Sequence, residues 1–173
     1  MTNATTSPHT LPSQALDLLA RLEEQRVELV LIGDLAAAVH GVTPRDTTVV
    51  VVPARFRRNL DRLARGLRNV HARPADPSPI SSSTPELGPT QLAALGRWRL
   101  LTDFGCLELD FEPPATAGHI DLFENARRMP LGGPLAIEVA ALADLVRIAE
   151  MRRSPGDEAM LPGLRAALGP GAA

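Results

Sequence analysis

The chain of 173 residues contains no lysine, no tyrosine and a single cysteine, Cys106. Each shortage removes a class of chemistry. Without lysine there is no Schiff-base catalysis and no lysine clamp on a phosphate; all 18 basic side chains are arginines. One cysteine closes no internal disulfide and builds no multi-thiolate metal site. Set in an apolar strand pattern, Cys106 reads as a buried, inert thiol. Aromatic residues make up 3% of the chain, so stacking on nucleic-acid bases has little to work with. No apolar run approaches the roughly 18 residues of a membrane span. The opening MTNATTSPHTLPS is polar and lacks the basic start and apolar stretch of a secretory signal. These features set the expectation of a cytoplasmic protein with no membrane partner. A formal net charge of −2 gives no global pull toward nucleic acid.

What is present is a hydrophobic content of 45%, enough for a substantial core in one domain. We expect that domain over residues 13–168, between a mobile N-terminal tail at 1–12 and a C-terminal tail at 169–173. The stretch that organises it is LVLIGDLAAAVHGVTPRDTTVVVVP, residues Leu29 to Pro53. It reads as strand, turn, short helix, turn, strand. Leu29–Ile32 is apolar and closed by Gly33. Asp34–Val39 is alanine-rich and ended by Gly41, which suits the left-handed residue after a helix. Thr47–Val52 is an unbroken β-branched run stopped by Pro53. Gly33 and Asp34, at a strand-to-helix turn, form a candidate phosphate-receiving pair through backbone amides.

The flanking segments follow the same reading. A helix is expected at Gln14–Arg26, with Leu16, Leu19, Ala20 and Leu22 on one face. A second helix, Phe56–Val70, carries the apolar stripe Phe56, Leu60, Leu63, Leu67 and Val70. Beside it runs a basic stripe of Arg55, Arg58, Arg62 and Arg65, which is either a solvated face or a surface for phosphates or an acidic partner. The proline- and serine-rich segment 72–90 reads as a loop. Trp98–Thr102 and Cys106–Phe111 form a hairpin around Asp103-Phe104-Gly105. Period-2 alternation puts Glu108 and Asp110 on one face of the second strand. A short helix around Asp121–Arg127, a strand at Leu135–Val139 and a helix at Ala141–Arg153 come next. A last helix begins at Ser154-Pro155-Gly156-Asp157, where Ser caps, Pro fits the first turn and Asp complements the dipole. The sum is an α+β domain with a central mixed sheet flanked by helices.

The order of these pieces resembles the nucleotidyltransferase superfamily, the polymerase-β-like fold, in its small bacterial branch of minimal nucleotidyltransferases and abortive-infection toxins. The residues that carry the resemblance are Ile32-Gly33, Ala36-Ala37-Ala38, His40-Gly41, Arg45 and Thr47, the valine strand, and Asn59-Leu60. Thr102-Asp103-Phe104-Gly105 with CLELD, Leu142-Ala143-Asp144-Leu145-Val146 and Pro155-Gly156-Asp157 continue it. The resemblance implies a strand bearing two aspartates at i and i+2 that hold Mg²⁺ against a nucleoside triphosphate. By spacing from Arg45 and Thr47 those positions are Val49 and Val51, and valine offers no ligand. The glycine or serine expected after Gly33 is Asp34. The third carboxylate aligns with Glu108, and two lysines of the branch align with Ala149 and Gly156.

These departures lead to the expectation of a nucleotidyltransferase-like protein that has lost metal-dependent transfer. It would need no cofactor and would serve as a binding or regulatory module. Its partner would be a protein or a second copy of itself, in a toxin–antitoxin or phage-defence setting. The competing expectation is an active transferase moving a nucleotide to a protein or RNA. It would use Mg²⁺ and NTP at a site rebuilt from Asp46, Glu108 and Asp110. His40 reads as structural, closing the short helix, against a role as general base.

Overall fold

The computed structural model describes residues 11–75 and 87–169. The chain opens with α1 (Ser13–Glu24), whose buried face is Ala15, Leu18, Leu19 and Leu22. Leu11, inside the segment expected to be a free tail, is already buried in the core. Strand β1 (Leu29–Ile32) is buried along its whole length. Gly33 then turns the chain with φ +73°, and its missing Cβ matters, because one would sit 3.3 Å from Val50. Helix α2 (Gly33–Val39) follows and buries Leu35 to Ala38. Its end is tied down by His40, whose Nε2 lies 2.8 Å from the Ala140 carbonyl. A carbonyl only accepts, so Nε2 carries the proton and is spent on this contact.

Strand β2 (Val49–Pro53) starts two residues later than the valine-and-threonine run suggested. The Asp46 carboxylate claims the amides of Thr47 at 2.6 Å and Thr48 at 3.1 Å, so neither is free to join the ladder. Helix α3 (Arg57–Asn69) is anchored by Asn59, which is fully buried. Asn59 Oδ1 accepts from the Glu28 amide at 2.7 Å. Its Nδ2 donates to the carbonyls of Glu28 at 2.8 Å and Ala54 at 2.9 Å. One side chain thereby satisfies three backbone groups at the rim of the sheet.

Within the segment expected to be all loop, β3 (Arg73–Pro74) and α4 (Pro89–Ala94) are ordered elements. Residues 76–86 lie outside the described residues, as do 1–10 and 170–173, so the tail and loop expectations there rest on the sequence. Next come β4 (Arg97–Thr102) and β5 (Gly105–Asp110), joined by a two-residue turn at Asp103-Phe104. The helix α5 (His119–Asn125) is followed by β6 (Arg127–Gly132), a strand that the sequence did not announce. Its RRMPLG contains a proline, which is tolerated because β6 is an edge strand. It pairs antiparallel with β7 (Leu135–Val139). The chain closes with α6 (Leu142–Arg152) and α7 (Pro155–Leu168). The capping box at Ser154 forms as expected: Ser154 Oγ accepts from the Asp157 amide, and the Asp157 carboxylate accepts from the Ser154 amide.

The architecture is α+β: one seven-stranded mixed sheet, in the order β3-β4-β5-β2-β1-β7-β6, flanked by helices. Strands β2 and β5 run parallel at its centre, with β1 antiparallel to β2 on the other side. Among the described residues no helix is long and apolar enough to cross a membrane.

Candidate functional site

A cleft of about 420 Å³ opens beside the junction of β1 with α2, the β2 start, the middle of β5 and the α6–α7 turn. Pairing decides what faces it. Val50 of β2 stands beside Glu108 of β5, while Val49 and Val51 stand beside Leu107 and Leu109. Side chains on paired positions share a face and successive ones alternate. Glu108 and Asp110 therefore share the cleft side, as the alternation predicted. Val49 and Val51 project from the other side into the core, where both are buried. This corrects the assignment made from spacing. The positions of β2 that line the cleft are Thr48 and Val50. A one-residue offset is enough to exchange the two faces.

The structure brings Gly33, Asp34, Asp46 and Glu108 together in this cleft, with Asp110 just behind. Each carboxylate is already held. Asp34 Oδ2 accepts from the amides of Arg45 at 2.6 Å and Asp46 at 2.8 Å, stapling the loop before β2. Burial works to raise the Asp46 pKa. The hydrogen bonds from the Thr48 amide and hydroxyl and the Thr47 amide, with Arg99 nearby, outweigh it and hold the group below its ordinary value. Glu108 pairs with Arg97 at 2.9 Å, and Asp110 with Arg152 at 2.9 Å. Burial pushes Asp110 above the ordinary carboxylate value, against the pull of Arg152, the Glu112 amide and Arg97. Asp157 is spent in its capping box.

A two-metal site needs several carboxylate oxygens free to converge on the ions. Here Val50 occupies the strand position next to Glu108, and Arg97 and Arg152 take the places where cations would sit. Among the described residues no three His, Cys, Asp or Glu side chains are grouped to hold a metal ion. The donor set does not fit that chemistry. What remains is a cleft with arginines and acids interleaved, close to neutral overall.

The other candidates lie elsewhere. His40 lines a separate, wider cavity against α7, with Arg45. The arginine stripe is split: Arg55 binds Glu112 at 2.7 Å and lies 5.1 Å from the Phe111 ring centroid. Arg62 reaches the Arg26 carbonyl at 3.1 Å and Glu28 at 3.3 Å. Arg58 and Arg65 are exposed and make no ion pair among the described residues. Sequence reasoning missed Arg97 and Arg152, the residues that neutralise the cleft. For Arg97 a signal existed: a two-residue turn sets Arg99 opposite Glu108 and Arg97 opposite Asp110. A turn drawn one residue longer hides that pairing. Comparison with family models and with curated protein sequences finds no match to this chain.

Proposed function

We propose that this chain is a nucleotidyltransferase-like protein that has given up metal-dependent nucleotidyl transfer and acts as a binding or regulatory module. The observation that carries the reading is Val50. An apolar side chain stands on the cleft face beside Glu108, in a cleft whose acids are engaged by arginines and backbone amides. The strand–glycine–helix unit at Leu29–Val39 and the parallel pairing of β2 with β5 support the fold relationship. The setting, a toxin–antitoxin or phage-defence pair with a protein partner or a second copy, rests on analogy with that family.

The test is a thermal-shift titration with each nucleoside triphosphate, with and without Mg²⁺ or Mn²⁺, on the wild type and on Glu108→Ala. A ligand that binds the folded state raises its melting temperature by mass action. No metal-dependent rise is expected. A rise that needs Mg²⁺ and disappears in Glu108→Ala overturns the proposal in favour of the second reading, an active transferase. That reading draws on one observation, that Asp46 and Glu108 line the same cleft.

A further inference from the structure

Beyond the carboxyl ends of β2 and β5 lies a second concavity, distinct from the cleft. Its volume is about 560 Å³, within the range of roughly 300–1,000 Å³ typical of small-molecule sites. Pro53 and Ala54 come from the end of β2, Phe111 from the end of β5, Phe56 from the start of α3 and Ile120 from α5. Aromatic residues are scarce in this chain, which has four phenylalanines and one tryptophan. Two of the four phenylalanines nonetheless line this one groove. A third, Phe123, stacks on the lining residue His119 with ring centroids 5.3 Å apart.

The apolar side chains here are not all withdrawn from water. Phe56 is 47% exposed and Ile120 is 75% exposed at the rim, while the Phe111 ring is buried. Exposed apolar surface costs free energy unless something covers it, and clustering of such residues marks a binding site. The charged groups of the groove are one arginine and one glutamate. Arg55 and Glu112 are paired at 2.7 Å, with the guanidinium over the Phe111 ring. They cancel each other, so no net charge recruits an ion. Gly118 forms the floor near α5 with φ +77°, and a Cβ there would meet the Phe111 carbonyl oxygen at 3.0 Å. A side chain at 118 would strain the backbone and close in on that carbonyl.

We infer that this groove binds a neutral, flat, largely apolar small molecule, an aromatic ring system inserted between Phe56 and Ile120 and lying on Phe111. Ring-on-ring contact and exclusion of water from the two rim residues supply the affinity. The paired Arg55 and Glu112 select against charged competitors, because a charged ligand would have to break that pair to find a counter-ion.

The experiment uses the full chain and the neutral fluorophore N-phenyl-1-naphthylamine, whose emission rises in apolar surroundings. Saturable binding at one site per chain is expected. Phe56→Ala removes an exposed wall, and Ala117→Phe fills the groove from an exposed position. Each should weaken binding at least tenfold while the melting temperature stays within the scatter of the wild type. Arg97→Gln, in the distant cleft, should leave it unchanged. Absence of saturable binding overturns the inference, as does binding that both groove variants leave intact. A wild-type dimer that Phe56→Ala converts to monomer, by light scattering, also overturns it and makes the patch a contact between copies. None of these readouts depends on nucleotide or metal, so they stand or fall apart from the proposed loss of transfer.

Discussion

Replacing Arg152 by methionine isolates what it costs to keep Asp110 ionised in the wall of the cleft. The Asp110 side chain is 6% exposed and that of Arg152 18%, at 2.9 Å from each other. Removing one partner of a buried pair costs about 3–5 kcal/mol, because the other charge is left uncompensated. Two features moderate that here: the Glu112 amide still donates to Asp110 at 3.2 Å, and Arg97 remains nearby. We expect a loss of about 2–3 kcal/mol at pH 7, or roughly 5–10 °C in melting temperature for a domain of this size. The loss should depend on pH. Burial already raises the Asp110 pKa above the ordinary 3.8, and losing Arg152 raises it further. The folded state then binds more protons than the unfolded one across that widened window. Its stability therefore falls as pH rises above 3.8 and recovers toward acid, where a neutral Asp110 needs no partner. Urea unfolding of wild type and Arg152→Met at pH 7 and at pH 4.5 reads this directly. A loss of the same size at both pH values, or below about 0.5 kcal/mol at pH 7, would refute the reasoning.

Other substitutions probe the remaining claims. Val49→Asp drives a carboxylate into the core and should cost about 4 kcal/mol or more, whereas Val50→Asp opens onto the cleft near Arg97 and should cost half that or less; equal urea midpoints for the two would mean the faces of β2 are assigned wrongly. Asn59→Ala strands the amide and carbonyl of Glu28 and the carbonyl of Ala54, for a loss of about 2–4 kcal/mol in chemical denaturation. His119, whose Nε2 is buried with no partner among the described residues, has its pKa lowered by burial below the ordinary 6.5. The unfolded state then takes up its proton first, so stability falls as pH drops below about 6.5; melting at pH 7.5 and 5.0 should show a smaller acid loss in His119→Phe, and an unchanged loss would count against it.

Legibility in the sequence followed the range of the interactions. Local periodicity and punctuation placed β1, α2, α3, β7 and the capped start of α7, because their signals lie within a few residues: an apolar repeat, a glycine, a Ser-x-x-Asp pair. The start of β2 slipped by two residues because Asp46 competes for the strand's first amides, a contact with no apolar signature. The edge strand β6 stayed hidden because an exposed edge needs no apolar face, and its proline argued the other way.

The candidate site divides along the same line. The sequence by itself determined that no lysine and no thiolate cluster takes part, and that Glu108 and Asp110 share a face, since strand alternation is a covalent property of the backbone. Only the tertiary structure decided which valine stands beside Glu108, because the register of β2 against β5 is a pairing between strands 58 residues apart. It alone also brought Arg152, from α6, onto Asp110. Charge compensation in the cleft is a long-range contact made only when the sheet and the last two helices close on each other, and no local pattern encodes it.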